Sequence, residues 1–105
     1  MNTTQIADTI KEATGHSPRT LATGGGCEVL AWKSAAGFVC WLSDDDARIP
    51  TEEDCGLVLG IYRPDPSEDL WPSDDGCEAE RYYHADTATP ADLARLLVDA
   101  REDAR

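Results

Sequence analysis

An acidic run in the middle of the chain holds the densest group of side chains that could do chemistry. Between residues 44 and 54, six of the eleven residues are acidic, and Arg48 is the single basic one. Carboxylates at spaced positions bind calcium because their oxygens can converge on one point. Asp44, Asp45 and Asp46 are consecutive, so on an extended chain their side chains point to opposite sides. We therefore predict no metal site and no cofactor in this segment.

Four cysteines and two histidines are the other candidates for nucleophile, base or metal ligand. The cysteines are Cys27, Cys40, Cys55 and Cys77, with 12, 14 and 21 residues between successive members. Zinc sites usually contain at least one close pair such as C-x-x-C, which this spacing lacks. A catalytic nucleophile needs a base beside it, and nothing in the sequence places His16 or His84 beside a thiol. The sequence predicts no catalytic residue and no enzymatic activity.

Two helices are predicted at the ends of the chain. Apolar residues at helical spacing predict a helix over 4–14, with Asn2 or Thr3 as its cap and Gly15 as its end. A second helix begins after Thr89, which is followed by Pro90 at the first helical position, and extends to about residue 104.

Four strands are predicted between the helices, after a connector over residues 16–26. They cover residues 27–33, 38–43, 56–63 and 78–85. The order α-β-β-β-β-α predicts an α+β fold, in which a four-stranded antiparallel meander carries the N- and C-terminal helices. We expect residues 1–105 to form a single small domain.

The predicted hairpin of the first two strands is apolar on both faces. If Lys33 pairs with Phe38, one face carries four large apolar side chains: Leu30, Trp32, Val39 and Trp41. These four are ordinary core if the helices lie on that face. Otherwise they form an exposed apolar patch, unusually large for a monomer. Loops 44–55 and 64–77, a partner or a second copy would then cover it, and we predict an interface with a partner or in a homodimer.

Acidic charge is concentrated in the loops of the middle segment. The net charge of the chain is −12, and residues 44–86 carry fourteen acids against three arginines, a net charge of −11. Such a field repels nucleic acid and membrane surfaces and favours the basic face of a partner protein. The first residues do not resemble a signal peptide, and no apolar run is long enough to span a membrane. We therefore expect a soluble cytoplasmic protein with reduced thiols.

The acidic loops and their aromatic residue are the predicted binding surface. Its members are Asp44, Asp45, Asp46, Glu52, Glu53, Asp54, Trp71, Asp74 and Asp75. We interpret the chain as a non-enzymatic regulator or inhibitor that binds a basic protein. The alternatives are a structural or oligomeric accessory protein, a nucleic-acid mimic that blocks a basic site, or loops that only confer solubility. In composition the chain is similar to accessory proteins of actinobacteria and their phages, a resemblance that covers no motif.

Overall fold

Two helices and five strands make up the computed structural model, which describes residues 1–52, 54–67, 69–73 and 81–101. The elements are α1 Thr3–Thr14, β1 Arg19–Gly24, β2 Cys27–Lys33, β3 Val39–Ser43, β4 Leu57–Tyr62, β5 Arg81–Ala85 and α2 Pro90–Asp99. The strands pair antiparallel in chain order from β1 to β5. The predicted α+β class is confirmed, but the sheet has five strands and not four.

The strand that the sequence interpretation missed is β1, which lies within the predicted connector 16–26. Its residues are exposed or half-buried, and Leu21 is its single large apolar side chain, so it lacks the alternating pattern that identifies a strand. It pairs with β2, placing Arg19 opposite Ala31. The turn between them is Gly25 and Gly26; these two and Gly24, the last residue of β1, all have positive φ, a conformation that glycine adopts without a steric penalty.

Both helices begin at the predicted caps. The Asn2 side-chain oxygen accepts a hydrogen bond from the backbone N–H of Gln5 at 2.8 Å, and the Gln5 side chain accepts one from the N–H of Asn2 at 2.9 Å. Gly15 ends α1 in the left-handed conformation. Thr89 accepts the N–H of Asp92 at the start of α2. The end of α2 is assigned at residue 99, and residues 102–105 lie outside the described part of the chain.

The main core lies between the helices and one face of the sheet. Its helical members include Ile6, Ile10, Leu93, Leu96 and Leu97, and its strand members are Leu30, Trp32, Cys40, Leu42, Leu57, Leu59 and Ile61. Each of these side chains is at most 3% exposed. Their burial is the main source of stability, because buried aliphatic and aromatic side chains each contribute about 1.5–3 kcal/mol.

The register of the β2–β3 hairpin differs by one residue from the prediction. Lys33 pairs with Val39 and not with Phe38, because the turn is a three-residue loop closed by Ser34 and Phe38. The N–H of Ser34 donates to the carbonyl of Phe38 at 2.8 Å, and Gly37 has a φ of 91°, as in hairpins that end on a left-handed glycine. A shift of one residue turns every side chain of a strand to the opposite face.

This shift divides the four residues of the predicted apolar interface. Leu30 and Trp32 lie in the main core beneath the helices. Val39 and Trp41 lie on the opposite face of the sheet, where Trp41 is opposite Ala31 in the register. The prediction that the four side chains share one face is therefore wrong, and Trp32 is an ordinary core residue.

Candidate binding face

The face of the sheet turned away from the helices, here called the outer face, is partly covered by the loop that follows β4. Val29 and Ala31 of β2 form a second, small core with Leu70 of this loop, and Leu70 is only 5% exposed. The carbonyl of Leu70 accepts a hydrogen bond from the indole Nε1 of Trp41 at 2.8 Å. The sequence favoured a partner over a loop as cover for Trp41, and in the structure the loop covers the β2 side of the outer face.

The loop is held in place by contacts at several points. The backbone N–H of Asp65 donates to the carbonyl of Trp71 at 2.8 Å, and Asp69 forms an ion pair with Arg19 of β1 at 2.7 Å. Leu70 has a φ of 61°, which is unusual for a residue with a side chain and costs of order 1 kcal/mol. The burial of Leu70 offsets this strain, so the loop is anchored on the outer face by packing.

A continuous series of rings, here called the aromatic row, extends across the outer face from this loop to β5. Its members are Trp71, Trp41, Tyr62, Tyr82 and His84. The ring centroids of Trp71 and Trp41 are 5.3 Å apart, and those of Trp41 and Tyr62 are 5.5 Å apart. Tyr82 lies 6.3 Å from Tyr62 and 6.2 Å from His84. Tyr82 is 49% exposed and His84 is exposed. The row thus passes from half-buried indoles at the loop to open rings on β5.

Gly60 makes this arrangement of rings possible. It lies opposite Trp41 on one side and opposite Tyr82 on the other, so a side chain here would stand in the middle of the row. Instead the ring of Tyr62 occupies that space, since a Cβ on Gly60 would lie 2.6 Å from Tyr62 Cε2. An ordinary carbon–carbon contact is about 3.5–4.0 Å. The missing side chain of Gly60 therefore lets Tyr62 bridge Trp41 and Tyr82.

The hydroxyl of Tyr62 is held in its neutral form. Burial raises its pKa above the ordinary value of 10.0, and a hydrogen bond with Tyr82 and the charge of that residue raise it further. A buried phenolate would lose its hydration without an opposite charge to replace it. Tyr62 is thus a neutral, fixed member of the row, whereas Tyr82 presents its ring to solvent.

The acidic run after β3 is a structured turn as well as a charged surface. Asp44 Oδ1 accepts the backbone N–H groups of Asp46 and Arg48 at 2.8 and 3.0 Å, so this carboxylate stabilises the loop. Asp45 lies against the start of β4, because a Cβ on Gly56 would be 2.8 Å from Asp45 Oδ2.

Some of the other acids predicted for the binding surface lie together, because Asp46 and Glu52 line one cavity with Asp44 and Arg48. Asp45, Asp46, Glu52 and Asp54 are exposed, whereas Glu53, Asp74 and Asp75 lie outside the described residues. Trp71 is half-buried and belongs to the aromatic row. Of the predicted binding residues, Trp71 is therefore the one in ring contact with the row on the outer face.

Two of the described thiols, those of Cys40 and Cys55, are poorly placed for nucleophilic chemistry. Cys40 is buried in the main core. The Cys55 thiol donates to the carbonyl of Glu52 at 2.8 Å, and burial, followed by the charge of Asp44, raises its pKa. A raised pKa keeps the thiol protonated and unreactive. Within the described residues, no group of three or more Cys, His, Asp or Glu is placed to hold a metal ion; Cys77 lies outside them.

A small acidic cavity lies where the end of β5 meets α2. Its volume is about 210 Å³, and its charged or titratable lining residues are His84, Asp86, Asp92, Arg95 and Asp99. Arg95 Nη1 is 3.9 Å from Asp92 Oδ1, and Asp92 also accepts a short hydrogen bond from the Thr87 hydroxyl. The lining carries three carboxylates and one guanidinium. His84 is shared by the cavity and the aromatic row, whereas most of the cavity wall is formed by α2 on the helix side of the sheet.

No protein-family model matches the chain, and neither a curated protein nor a solved structure was found to be similar to it. Neither described helix has the length and apolar character needed to cross a membrane.

Tyr62, Tyr82 and His84 are absent from the predicted binding residues. One signal in the sequence could have identified them. Gly60 and Tyr62 are two positions apart on one predicted strand, and Tyr82 and His84 are two positions apart on the next. Alternate residues of a strand share a face. What the sequence lacked was the pairing of β3 with β4 and of β4 with β5, which puts Trp41, Gly60 and Tyr82 side by side.

Proposed function

We propose that the protein is a non-enzymatic binding module, a regulator or inhibitor that engages a basic segment of a partner protein through the outer face. The observation that carries this proposal is the aromatic row, which ends in the open rings of Tyr82 and His84. Aromatic side chains dominate the energetics of protein interfaces, because they bury a large area with few rotatable bonds.

The negative net charge of the chain supports a basic partner. It argues against single-stranded nucleic acid, the main alternative ligand for exposed aromatic rings. Aromatic residues on sheets also stack the bases of single-stranded nucleic acid, but such sites lie in positively charged grooves. Here the net charge is −12, which attracts cationic protein surfaces and repels phosphate. Mimicry of nucleic acid would require carboxylates in a regular array, whereas Asp44 is engaged in its own turn.

Selection from a display library of random short peptides tests the proposal. We expect peptides selected on the wild type to be rich in arginine or lysine, and to lose affinity for a Tyr82→Ala variant. Val98→Ala is the matched control. Val98 is the other large apolar residue of the described chain that is strongly exposed, at 55%, and it lies on α2, away from the outer face. Selection of neutral peptides, or equal binding to both variants, would refute the proposal. Light scattering in parallel would show whether a second copy occupies the face instead.

A further inference from the structure

The two open rings at the end of the aromatic row have a geometry suited to a flat cation. Tyr82 and His84 are alternate residues of β5, so both side chains stand on the outer face. Their rings are 30° from parallel, with centroids 6.2 Å apart. The other neighbouring rings of the row are inclined at 57–86°. Tyr82 and His84 are thus the one near-parallel pair among the ring contacts of the described residues.

We infer that this pair is a binding site for an arginine side chain of an extended basic segment. The inference rests on the proposed function and specifies its ligand. A planar group between two rings needs about 7 Å, or two contacts of about 3.5 Å. The present separation is slightly less, and both side chains are exposed on an edge strand, so small rotations of the rings admit a guanidinium. The ammonium of lysine is a compact, strongly hydrated point charge that cannot stack in this way.

The surroundings of the pair favour a cation. The ring faces of tyrosine and of neutral histidine are electron-rich and attract a guanidinium placed over them. His84 also borders the acidic cavity, where Asp86, Asp92 and Asp99 outnumber Arg95. This cavity, at about 210 Å³, is smaller than the roughly 300–1,000 Å³ of most small-molecule sites. Its size fits a single side chain of a peptide, with the carboxylates selecting positive charge.

Alternate spacing in the ligand follows from the strand geometry of the site. A segment that runs extended beside the row presents every second side chain to it. One arginine then stacks on Tyr82 and His84, and the nearby aspartates around the cavity at the end of β5 add attraction for a positively charged segment. The ligand class is therefore an extended basic segment that carries arginine on the side facing the row.

Binding of short Gly/Ser peptides measures this selectivity. One peptide carries arginines at alternate positions, the second carries lysines there and the third carries neutral citrulline, which keeps the planar shape. Fluorescence anisotropy at about 0.1 M salt gives the affinities. We expect the arginine peptide to bind at least about fivefold more tightly than the lysine peptide, and the citrulline peptide to bind weakest.

Variants locate the site on the protein. Tyr82→Ala and His84→Ala should each weaken binding of the arginine peptide at least about threefold, whereas Val98→Ala should not. Asp86→Asn should weaken it more than Asp8→Asn, a matched change at an exposed acid of α1. Circular dichroism verifies that each variant is folded.

The outcomes separate the arginine site from the broader proposal. If lysine and arginine peptides bind equally, and both lose affinity in Tyr82→Ala, the arginine inference is refuted and the proposed function stands. If neither basic peptide binds, or if binding is unchanged by both ring variants, both are refuted. Tighter binding of a single-stranded oligonucleotide than of any peptide would also overturn both, since the partner would then be a nucleic acid.

Discussion

Replacement of Gly60 by alanine tests directly whether the packing of the aromatic row holds the outer face together. Gly60 has an ordinary strand backbone without a positive φ, so alanine is compatible with its conformation. The added Cβ would lie 2.6–2.8 Å from three atoms of the Tyr62 side chain. Because ordinary contacts are about 3.5–4.0 Å, the ring must recede by about 1 Å. That displacement breaks its packing with both Trp41 and Tyr82.

The expected loss of stability follows from two opposing effects. Each aromatic pair contributes about 0.5–1.5 kcal/mol beyond its buried area, and Tyr62 forms two such pairs. Loss of both pairs would destabilise the fold by about 1–3 kcal/mol. Replacing glycine by alanine restricts the unfolded chain and returns about 0.4–1 kcal/mol. The net effect is a destabilisation between about 0 and 2.6 kcal/mol, centred on about 1 kcal/mol, which lowers Tm by about 4–8 °C.

A double-mutant cycle gives this prediction its control. In a Tyr62→Ala background the close contacts of the added Cβ with the Tyr62 ring are gone, so Gly60→Ala should raise Tm through its effect on the unfolded chain. Thermal unfolding followed by circular dichroism measures all four proteins, and tryptophan fluorescence reports the surroundings of Trp41. If Gly60→Ala raises Tm in the wild-type background, or changes it equally in both backgrounds, then Tyr62 is not packed over Gly60.

Three further predictions concern the core, the phenol and the thiol. Trp32→Ala should destabilise the protein by about 3–5 kcal/mol in urea unfolding, since the side chain is 2% exposed; a loss below about 1 kcal/mol would place it outside the core. The pKa of Tyr62 in the folded protein is raised by burial and then by Tyr82. The unfolded chain therefore loses the Tyr62 hydroxyl proton at a lower pH than the folded protein does, so the free energy of unfolding should decline above pH 10. Tyr62→Phe should therefore lose less stability between pH 9 and 11 than the wild type, and an equal loss would contradict the assignment. Burial and then Asp44 raise the pKa of Cys55, so Asp44→Asn should accelerate its alkylation at pH 8, measured by mass spectrometry of the Cys55 peptide; an unchanged rate would mean that Asp44 has no influence.

Capping residues and apolar periodicity were sufficient to predict the two helices. The capping box of Asn2 with Gln5 and the stop at Gly15 involve only residues within a few positions of each other. The same holds for Thr89 at the start of α2. Signals of this kind act over one helical turn, so they can be recognised without knowledge of the rest of the chain.

The missed strand and the incorrect register had different causes. β1 carries little apolar signal because it lies at the edge of the sheet, and it forms by pairing with β2. The register depended on whether four or five residues separate Lys33 from its partner on β3, and the positive φ of Gly37 accompanies the longer connection. Because of this one-residue error, the prediction put Trp41 on the same face as Trp32, whereas in the structure the two lie on opposite faces.

The fold class, the two helices and the negative charge follow from the sequence, because composition, caps and periodicity are local or additive properties. The tertiary structure alone decided which side chains form a surface. The aromatic row joins Trp71 of a loop to rings from three strands, and it exists because Gly60 leaves space between Trp41 and Tyr82. Such a site depends on pairing between residues about 20 positions apart in the chain, and sequence patterns that repeat every two to four residues carry no information about it.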